Sequence, residues 1–378
     1  MVHTTEAQMK ALFDTIYPNR GRDILICSAP GRVNLIGEHT DYNEGYVLPV
    51  PLDLRVYAAG RPNWSNFINI YAADYHQKTS YPLDDIQYDQ RHPWTNYLKG
   101  TTQALLDQDQ HLSGCDILLK GDLPQEAGLS SSAAVEISTA RLLKDLNGLH
   151  ITPLEIAYIG KRAENEFVGV QCGVMDQFVA SLGRENHALF LDCRTNYYEN
   201  IPLPLDHSLV IVNTMIKRKL ATSVYNERRK QCREGVGLVR QSIPEIKALR
   251  DLSINQLHEL DGLPEPIWSR CYHVVTENQR VLQSTRALQR GDLKHLGTLM
   301  NASHESLRDH YQVSSPELDT LVEAARNTSG IKGARMTGAG FGGCTVNLVD
   351  KKEISCFIEI IVKHYQNATG IQADTYIV

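Results

Sequence analysis

Glu38, His39 and Asp41 stand within four consecutive positions of GEHTDYNEG (Gly37–Gly45), directly after the mostly apolar run APGRVNLI. Each side chain can hydrogen-bond a hydroxyl: the carboxylates accept, and the imidazole accepts or donates. Taken alone the stretch reads as a solvated turn, since Asp, Asn and Gly favour turns. Further on, GLSSSAAVEISTARLL (128–143) sets a glycine and three serines ahead of helix formers. Hydroxyls and unpaired N–H groups at a helix start attract anions, and the helix dipole adds to this. One capping serine with the others exposed is the plainer reading. Three in a row followed by small alanines suit a backbone that approaches phosphate closely.

A second glycine loop, TGAGFGGCTVNLV (337–349), contains G-x-G-x-x-G at Gly338, Gly340 and Gly343. A dinucleotide site needs a helix next and an acidic residue about twenty positions on. Here a strand-like run follows, and position 363 is lysine. The chain has neither H-R-D nor D-F-G, which excludes a protein-kinase loop, and no G-x-x-x-x-G-K-[ST], which excludes a P-loop. CGVMDQF (172–178) adds Asp176 in an apolar frame, with Glu164 upstream of it. Taken singly, Asp176 reads as a cap or a paired core carboxylate, and Glu164 as a solvated helix residue.

These residues need elements to hold them. Runs rich in β-branched and aromatic residues predict strands at 23–29, 54–60, 115–121, 187–192, 208–213, 344–349 and 373–378. Helical patterns lie at 95–107, 133–148, 152–167, 225–241, 272–289 and 354–366. Helices and strands do not strictly alternate, so α+β layers are expected rather than a doubly wound parallel sheet. The Pro-rich NIPLPLD (200–206) is the candidate linker. It divides the chain into domains 1–203 and 204–378.

With 378 residues, 42% hydrophobic and 22% charged, the chain can bury the cores of two domains. A net charge of −6 argues against nucleic acid as the main partner. No apolar run reaches membrane-spanning length, and the N-terminus lacks a secretory pattern. The eight cysteines include no C-x-x-C pair and no zinc spacing, and they are expected to stay reduced. The expectation is a cytoplasmic protein, a monomer, with neither nucleic acid nor membrane as partner.

In order along the chain, APGRVNLIGEHTDYNEGYVLPV, GLSSSAAVE, CGVMDQF and GARMTGAGFGGCTVNLV resemble the galactokinases of the GHMP small-molecule kinase superfamily. The likeness covers essentially the whole chain, and its first block is the specific one. It implies a two-domain fold, N-terminal ribosomal-S5-domain-2-like and C-terminal ferredoxin-like. The implied activity is transfer of the ATP γ-phosphoryl group to the anomeric hydroxyl of α-D-galactose. The products are galactose 1-phosphate and ADP, in galactose catabolism by the Leloir pathway.

By the same resemblance Gly128, Ser130, Ser131 and Ser132 cradle the ATP phosphates, and Ser132 with Glu164 holds Mg²⁺. Trp94 lies near the adenine, or is an ordinary core aromatic. Glu38, His39, Asp41, the Gly173 backbone and Tyr225 bind galactose hydroxyls, with Asp41 and Tyr225 sensing those around C4. A site built to bond a hydroxyl rejects a sugar that lacks it, because its buried polar groups are left unpaired. Asp176 is the candidate base, or only orients the sugar, and Arg32 keeps it ionised and steadies the attacking oxygen.

One position departs from the family pattern. PQEAGLSSSA carries Glu126 where the family has a glycine. If that position needs a positive φ, glutamate strains it. If the carboxylate faces the triphosphate, it repels. If it points to solvent, the loop tolerates it. Two alternatives follow: a kinase for a related sugar such as N-acetylgalactosamine, galacturonate or arabinose, and a galactose- and ATP-binding sensor without turnover. The intact GEHTDY favours galactose over the first, and the complete GLSSSAA favours an enzyme over the second.

Overall fold

Burial that alternates residue by residue identifies the strands of this protein. In FINIYA (Phe67–Ala72), Ile68, Ile70 and Ala72 are buried, whereas the residues between them are less so, as expected for a strand covered on one face. The computed structural model describes residues 4–18, 23–124, 128–216, 221–260 and 262–378. Its contacts divide the chain into two compact units. One contains Pro51–Gln125 and Leu129–Gly183 together with the N-terminal stretch that ends at Arg32. The other contains Val33–Val50 and Arg184–Val378.

In the first unit, the five-stranded sheet has the spatial order Leu25–Asn34, Pro49–Pro62, Cys115–Gly121, Phe67–Ala72, Gln77–Pro82. The pair Cys115–Gly121 and Phe67–Ala72 is parallel, while each of these strands is antiparallel to its other neighbour. The helix Glu6–Ile16 begins with a Thr5–Gln8 capping box and buries Met9 and Phe13 against Ala59 and Leu118. Helices Thr95–Leu106, Ser131–Leu146, Pro153–Arg162 and Met175–Leu182 complete the unit. Thr152 caps Pro153–Arg162 in a second capping box with Glu155, and Pro153 occupies the first helical turn. The helical pattern expected to run to 167 instead widens into a π-turn, Ala163–Val168, that ends at Gly169. Such π-turns insert an extra residue per turn and often occur at functional sites.

In the second unit, an antiparallel sheet runs in the order Ile331–Thr337, Cys344–Asp350, His207–Asn213, Asp374–Ile377. His207–Asn213 is buried at every position, which suits a central strand. Helices Pro316–Arg326 and Ile354–Thr369 place Leu321, Val322, Phe357, Ile361 and Tyr365 against Val210, Val212, Ala334 and Val349. A second core forms around the helices Ala221–Val239 and Ile267–Arg290. Tyr46–Val47, His187–Asp192 and Tyr198–Pro202 make a three-stranded sheet. The Pro-rich stretch 200–206 joins the last of these strands to His207–Asn213.

The expected α+β class is the one found, and every expected strand and helix is present within a few residues. Not foreseen were the helices Glu6–Ile16, Met175–Leu182, Ile254–Glu259, Leu293–Ser306 and Pro316–Arg326, the hairpin formed by Phe67–Ala72 and Gln77–Pro82, and the strands Tyr46–Val47, Tyr198–Pro202 and Ile331–Thr337. Among the described residues, no helix is long and apolar enough to cross a membrane.

The helix Leu293–Ser306 lies against the strand Ile331–Thr337 at Gly297, where a Cβ would stand 1.8 Å from the Lys332 carbonyl oxygen. We predict that Gly297→Ala destabilises the protein by about 1–3 kcal/mol through overpacking. Urea unfolding checks this, with a lower midpoint at unchanged slope expected. An unmoved midpoint would contradict the close approach.

Candidate active site

In the first unit, Asp176 sits in the opening turn of the helix Met175–Leu182, where unpaired N–H groups favour a carboxylate. Arg32 grips it in a two-pronged pair, Nε donating to Oδ1 at 2.9 Å and Nη2 to Oδ2 at 2.8 Å. Ser130 donates its hydroxyl to the same Oδ2. The Arg32 amide in turn donates to the Leu129 carbonyl at 3.0 Å, so strand and serine loop are joined where the pair forms. Planar guanidinium–carboxylate pairs fix orientation as well as charge.

Ser130 takes a left-handed conformation, φ 60°, at the start of the helix Ser131–Leu146 and makes no capping bond. Its hydroxyl therefore serves Asp176 and not the helix. The helix start is left without a serine cap from Ser130, as an anion-binding terminus requires. Gly128 also has a positive φ, 77°. Ser131 is exposed and Ser132 half-buried. Glu126 lies outside the described residues.

Glu164 lies in the π-turn and is buried. Gln177 donates from one amide nitrogen to Glu164 Oε2 at 2.6 Å and to Glu136 Oε2 at 3.0 Å. Burial pushes the Glu136 carboxyl well above the usual range, and the Glu164 charge adds to this. Burial raises the Glu164 pKa too, as does Asp176, while Cys172, Gln177 and the Ser132 hydroxyl favour its ionised form. A carboxylate beside a hydroxyl is a hard oxygen donor set that fits Mg²⁺, which completes its shell with phosphate oxygens and water. Gly173 is buried three residues before Asp176.

Trp94 stands at the start of the helix Thr95–Leu106. Its indole stacks on Tyr75 with ring centres 5.8 Å apart and donates to Gln77 at 2.6 Å. Tyr75 is 44% exposed. Trp94 is thus part of an aromatic platform open to solvent, not an ordinary core residue.

In the second unit, the turn carrying Glu38, His39 and Asp41 is buried, which corrects the solvated-turn reading: Glu38 is 2% exposed, His39 5% and Thr40 0%. Its path needs left-handed backbone at Gly37 (φ 106°), His39 (φ 63°) and Glu44 (φ 56°). Non-glycine residues adopt this only where surroundings enforce it. Here Thr40 donates to the Gly37 carbonyl at 2.8 Å and Asn43 to that of His39 at 2.8 Å, while Gly37 donates to Glu277 at 2.9 Å.

Glu38 accepts four bonds. Asn34 and Arg335 each donate to Oε2 at 2.7 Å, and Thr337 at 3.0 Å and the Gly338 amide at 2.7 Å donate to Oε1. Burial pushes its carboxyl up, against Arg335 and the Gly338 amide, which favour the ionised form. Four bonds fill a carboxylate's usual acceptor sites, so a sugar hydroxyl at Glu38 must share one of them. The His39 ring packs among Tyr42, Tyr225 and Tyr311, at 5.8, 5.7 and 4.7 Å between centres. Asp41 is half-buried in a single 3₁₀ turn, Asp41–Asn43.

The structure thus gathers Arg32, Ser130 and Asp176 in one cluster, Ser132 and Glu164 in another, and His39 with Tyr225 in a third. Sequence reasoning missed Glu136, Gln177, Arg335, Tyr42 and Tyr311. Glu136, Gln177, Tyr42 and Arg335 stand inside quoted motifs, and Arg335 is a cation in the apolar strand before the glycine loop, which was a usable signal. Nothing in the sequence singles out Tyr311.

Three family models match this chain: "GHMP kinases N terminal domain" over residues 96–184, "Galactokinase galactose-binding signature" over 11–62 and "GHMP kinases C terminal" over 284–367. The fold and site therefore define a kinase of the GHMP class. A galactokinase of Roseiflexus sp. (strain RS-1) is 47% identical over 93% of this chain and 90% of its own length. A galactokinase of Enterococcus faecalis is 43% identical over 92% and 91%. The crystal structure of Lactococcus lactis galactokinase complexed with galactose aligns with a TM-score of 0.94 and 35% identity, covering 98% of this chain and 97% of that one. The Methanococcus jannaschii mevalonate kinase shares the fold at TM-score 0.67 and 18% identity, covering 95% of this chain and 98% of that one. The chain belongs to the galactokinase family, whose members are kinases that use ATP.

Glu277, which holds Gly37, is buried. Burial opposes its ionisation, but Arg280, His273 and Arg335 outweigh it, and its pKa falls from 4.5 to about 2. A lowered folded-state pKa stabilises above the unfolded value, and that stability is lost as pH falls through the folded one. We predict that wild type exceeds Glu277→Gln by about 3 kcal/mol at pH 7. Unfolding free energies measured from pH 7 downward should show this gap narrowing below pH about 4.5. A gap independent of pH would contradict the assignment.

Proposed function

We propose that this protein transfers the γ-phosphoryl group of ATP to the anomeric hydroxyl of α-D-galactose, giving galactose 1-phosphate and ADP. The observation that carries the reading is Asp176, fixed by Arg32 and Ser130 beside the start of the serine-loop helix. Asp176 takes the hydroxyl proton as the oxygen attacks, and Arg32 keeps the carboxylate aimed. Glu38, His39, Asp41, Tyr225 and the Gly173 backbone contact the sugar hydroxyls. The helix-start amides with Gly128, Ser130, Ser131 and Ser132 hold the phosphates, and the Trp94–Tyr75 platform holds the adenine. Phosphoryl transfer depends mainly on positioning and charge neutralisation. Ser132 and Glu164 would hold Mg²⁺, which would neutralise phosphate charge.

We hold to domains 1–203 and 204–378 as the homologous modules. The N-terminal family match at 96–184 and the C-terminal one at 284–367 fall on either side of that boundary, in support of it. A monomer working in the cytoplasm on small molecules, without nucleic acid or membrane, completes the proposal.

ADP release with Mg-ATP across galactose, glucose, N-acetylgalactosamine, galacturonate and arabinose tests it. We predict strong turnover on galactose, poor turnover on glucose, and a loss in kcat of about 10²–10⁴-fold in Asp176→Asn. No turnover on any sugar, with galactose still bound, would overturn the kinase reading in favour of a sensor.

A further inference from the structure

His39 is the buried sugar-turn side chain with an unsatisfied ring nitrogen: Nε2 has no hydrogen-bond partner. Its other nitrogen starts a chain of contacts that leads away from the turn. His39 Nδ1 meets the Tyr42 hydroxyl at 2.7 Å, Tyr42 meets the Tyr311 hydroxyl at 2.8 Å, and Tyr311 meets Cys232 Sγ at 3.1 Å. All four side chains lie in the second unit.

The direction of this chain follows from acidity. A phenol, with a pKa of about 10, is a better proton donor than a neutral imidazole N–H. An imidazole nitrogen is in turn a better acceptor than a phenol oxygen. The short first contact is therefore Tyr42 O–H donating to Nδ1. With its own proton spent, the Tyr42 oxygen accepts from Tyr311, and the Tyr311 oxygen accepts from the Cys232 thiol. Every donor is used once. Burial raises the pKa of Tyr42, Tyr311 and Cys232, so all three keep their protons. Burial, with His273 beside it, lowers that of His39 to about 3, so the ring is neutral. The Ala339 backbone lies near enough to favour a proton on this ring without forming a hydrogen bond of normal geometry.

We propose that the relay Cys232–Tyr311–Tyr42 locks His39 as the Nε2–H tautomer, so that the sugar turn presents one hydrogen-bond donor among its carboxylate acceptors. A sugar hydroxyl that accepts from His39 keeps its proton for a carboxylate, which sets the direction of the bonds around the ring. Tyr42, Tyr311 and Cys232 are positioning residues. The sugar contact rests on the function proposed above, whereas the tautomer does not.

Two-bond ¹H–¹⁵N spectra of the full chain labelled with ¹⁵N-histidine test this, with His39 assigned by the signals lost in His39→Gln. Without sugar, the wild type should show the Nε2–H pattern. Tyr42→Phe should shift His39 toward Nδ1–H and raise KM for galactose about five- to tenfold, the loss of roughly one neutral bond. KM for ATP should not move. Tyr311→Phe, which keeps the donor to His39, should retain the tautomer with a smaller rise, so the hydroxyls are tested even if one variant folds poorly. An Nδ1–H wild type, or a Tyr42→Phe protein unchanged in both tautomer and KM, would overturn the relay. If the tautomer is as expected but galactose leaves the His39 signals unmoved, the sugar contact fails and the relay stands.

Discussion

Glu38 and Arg335 are a carboxylate and a guanidinium removed from water together, and the turn that carries His39 and Asp41 is built around them. Arg335 lies fully buried in the strand Ile331–Thr337 and also donates to the carbonyls of Asn34 and Leu35, at 3.1 Å each. Desolvating two charges is offset only when nearly all of their remaining partners are supplied. Glu38 meets that condition with four donors drawn from two distant segments of the sequence. Losing one partner of such a pair costs about 3–5 kcal/mol, because the other charge is stranded. The pair ties the strand and its glycine loop to Asn34 and Leu35. The G-x-G-x-x-G pattern at 338–343 thereby acquires a role that has nothing to do with dinucleotides, since its first amide is a Glu38 ligand.

Asp176 shows the opposite balance. It keeps some exposure, 25% for the side chain, and has three donors. Three donors hold the carboxylate in one orientation, which suits phosphoryl transfer, where positioning and charge neutralisation matter most. Nearby, Gln177 lets two buried carboxylates, Glu136 and Glu164, share one amide. Each carboxylate has a different task because each has a different set of donors.

Much of this was legible in the sequence, for physical reasons that differ by element. Strands such as SLVIVN and CTVNLV are rich in β-branched residues and buried at every position, and they were read correctly. IKGARMT was missed because Gly333 and Arg335 break its apolar pattern, and those are the residues that permit a close helix and a buried ion pair. The helix Leu293–Ser306 was missed for a related reason: Gly297, Ser303 and His304 interrupt its buried apolar stripe. The serine loop pointed to anion chemistry from its own residues, whereas GEHTDY acquired its role only through the resemblance to galactokinases. Burial of the turn was not legible, because Asp, Asn and Gly look the same in a solvated turn and in one enforced by Glu277 and Arg335. Long-range partners such as Tyr311, whose chemistry depends on where Tyr42 is placed, left no trace in local pattern.

The most direct test is the stereochemical course at phosphorus, with ATP made chiral at the γ-phosphoryl group by oxygen isotopes and galactose as acceptor. Direct attack by the sugar hydroxyl, with Asp176 handling only its proton, predicts inversion in the galactose 1-phosphate formed. Retention would contradict it, because two successive displacements would make Asp176 or another side chain a phosphorylated intermediate.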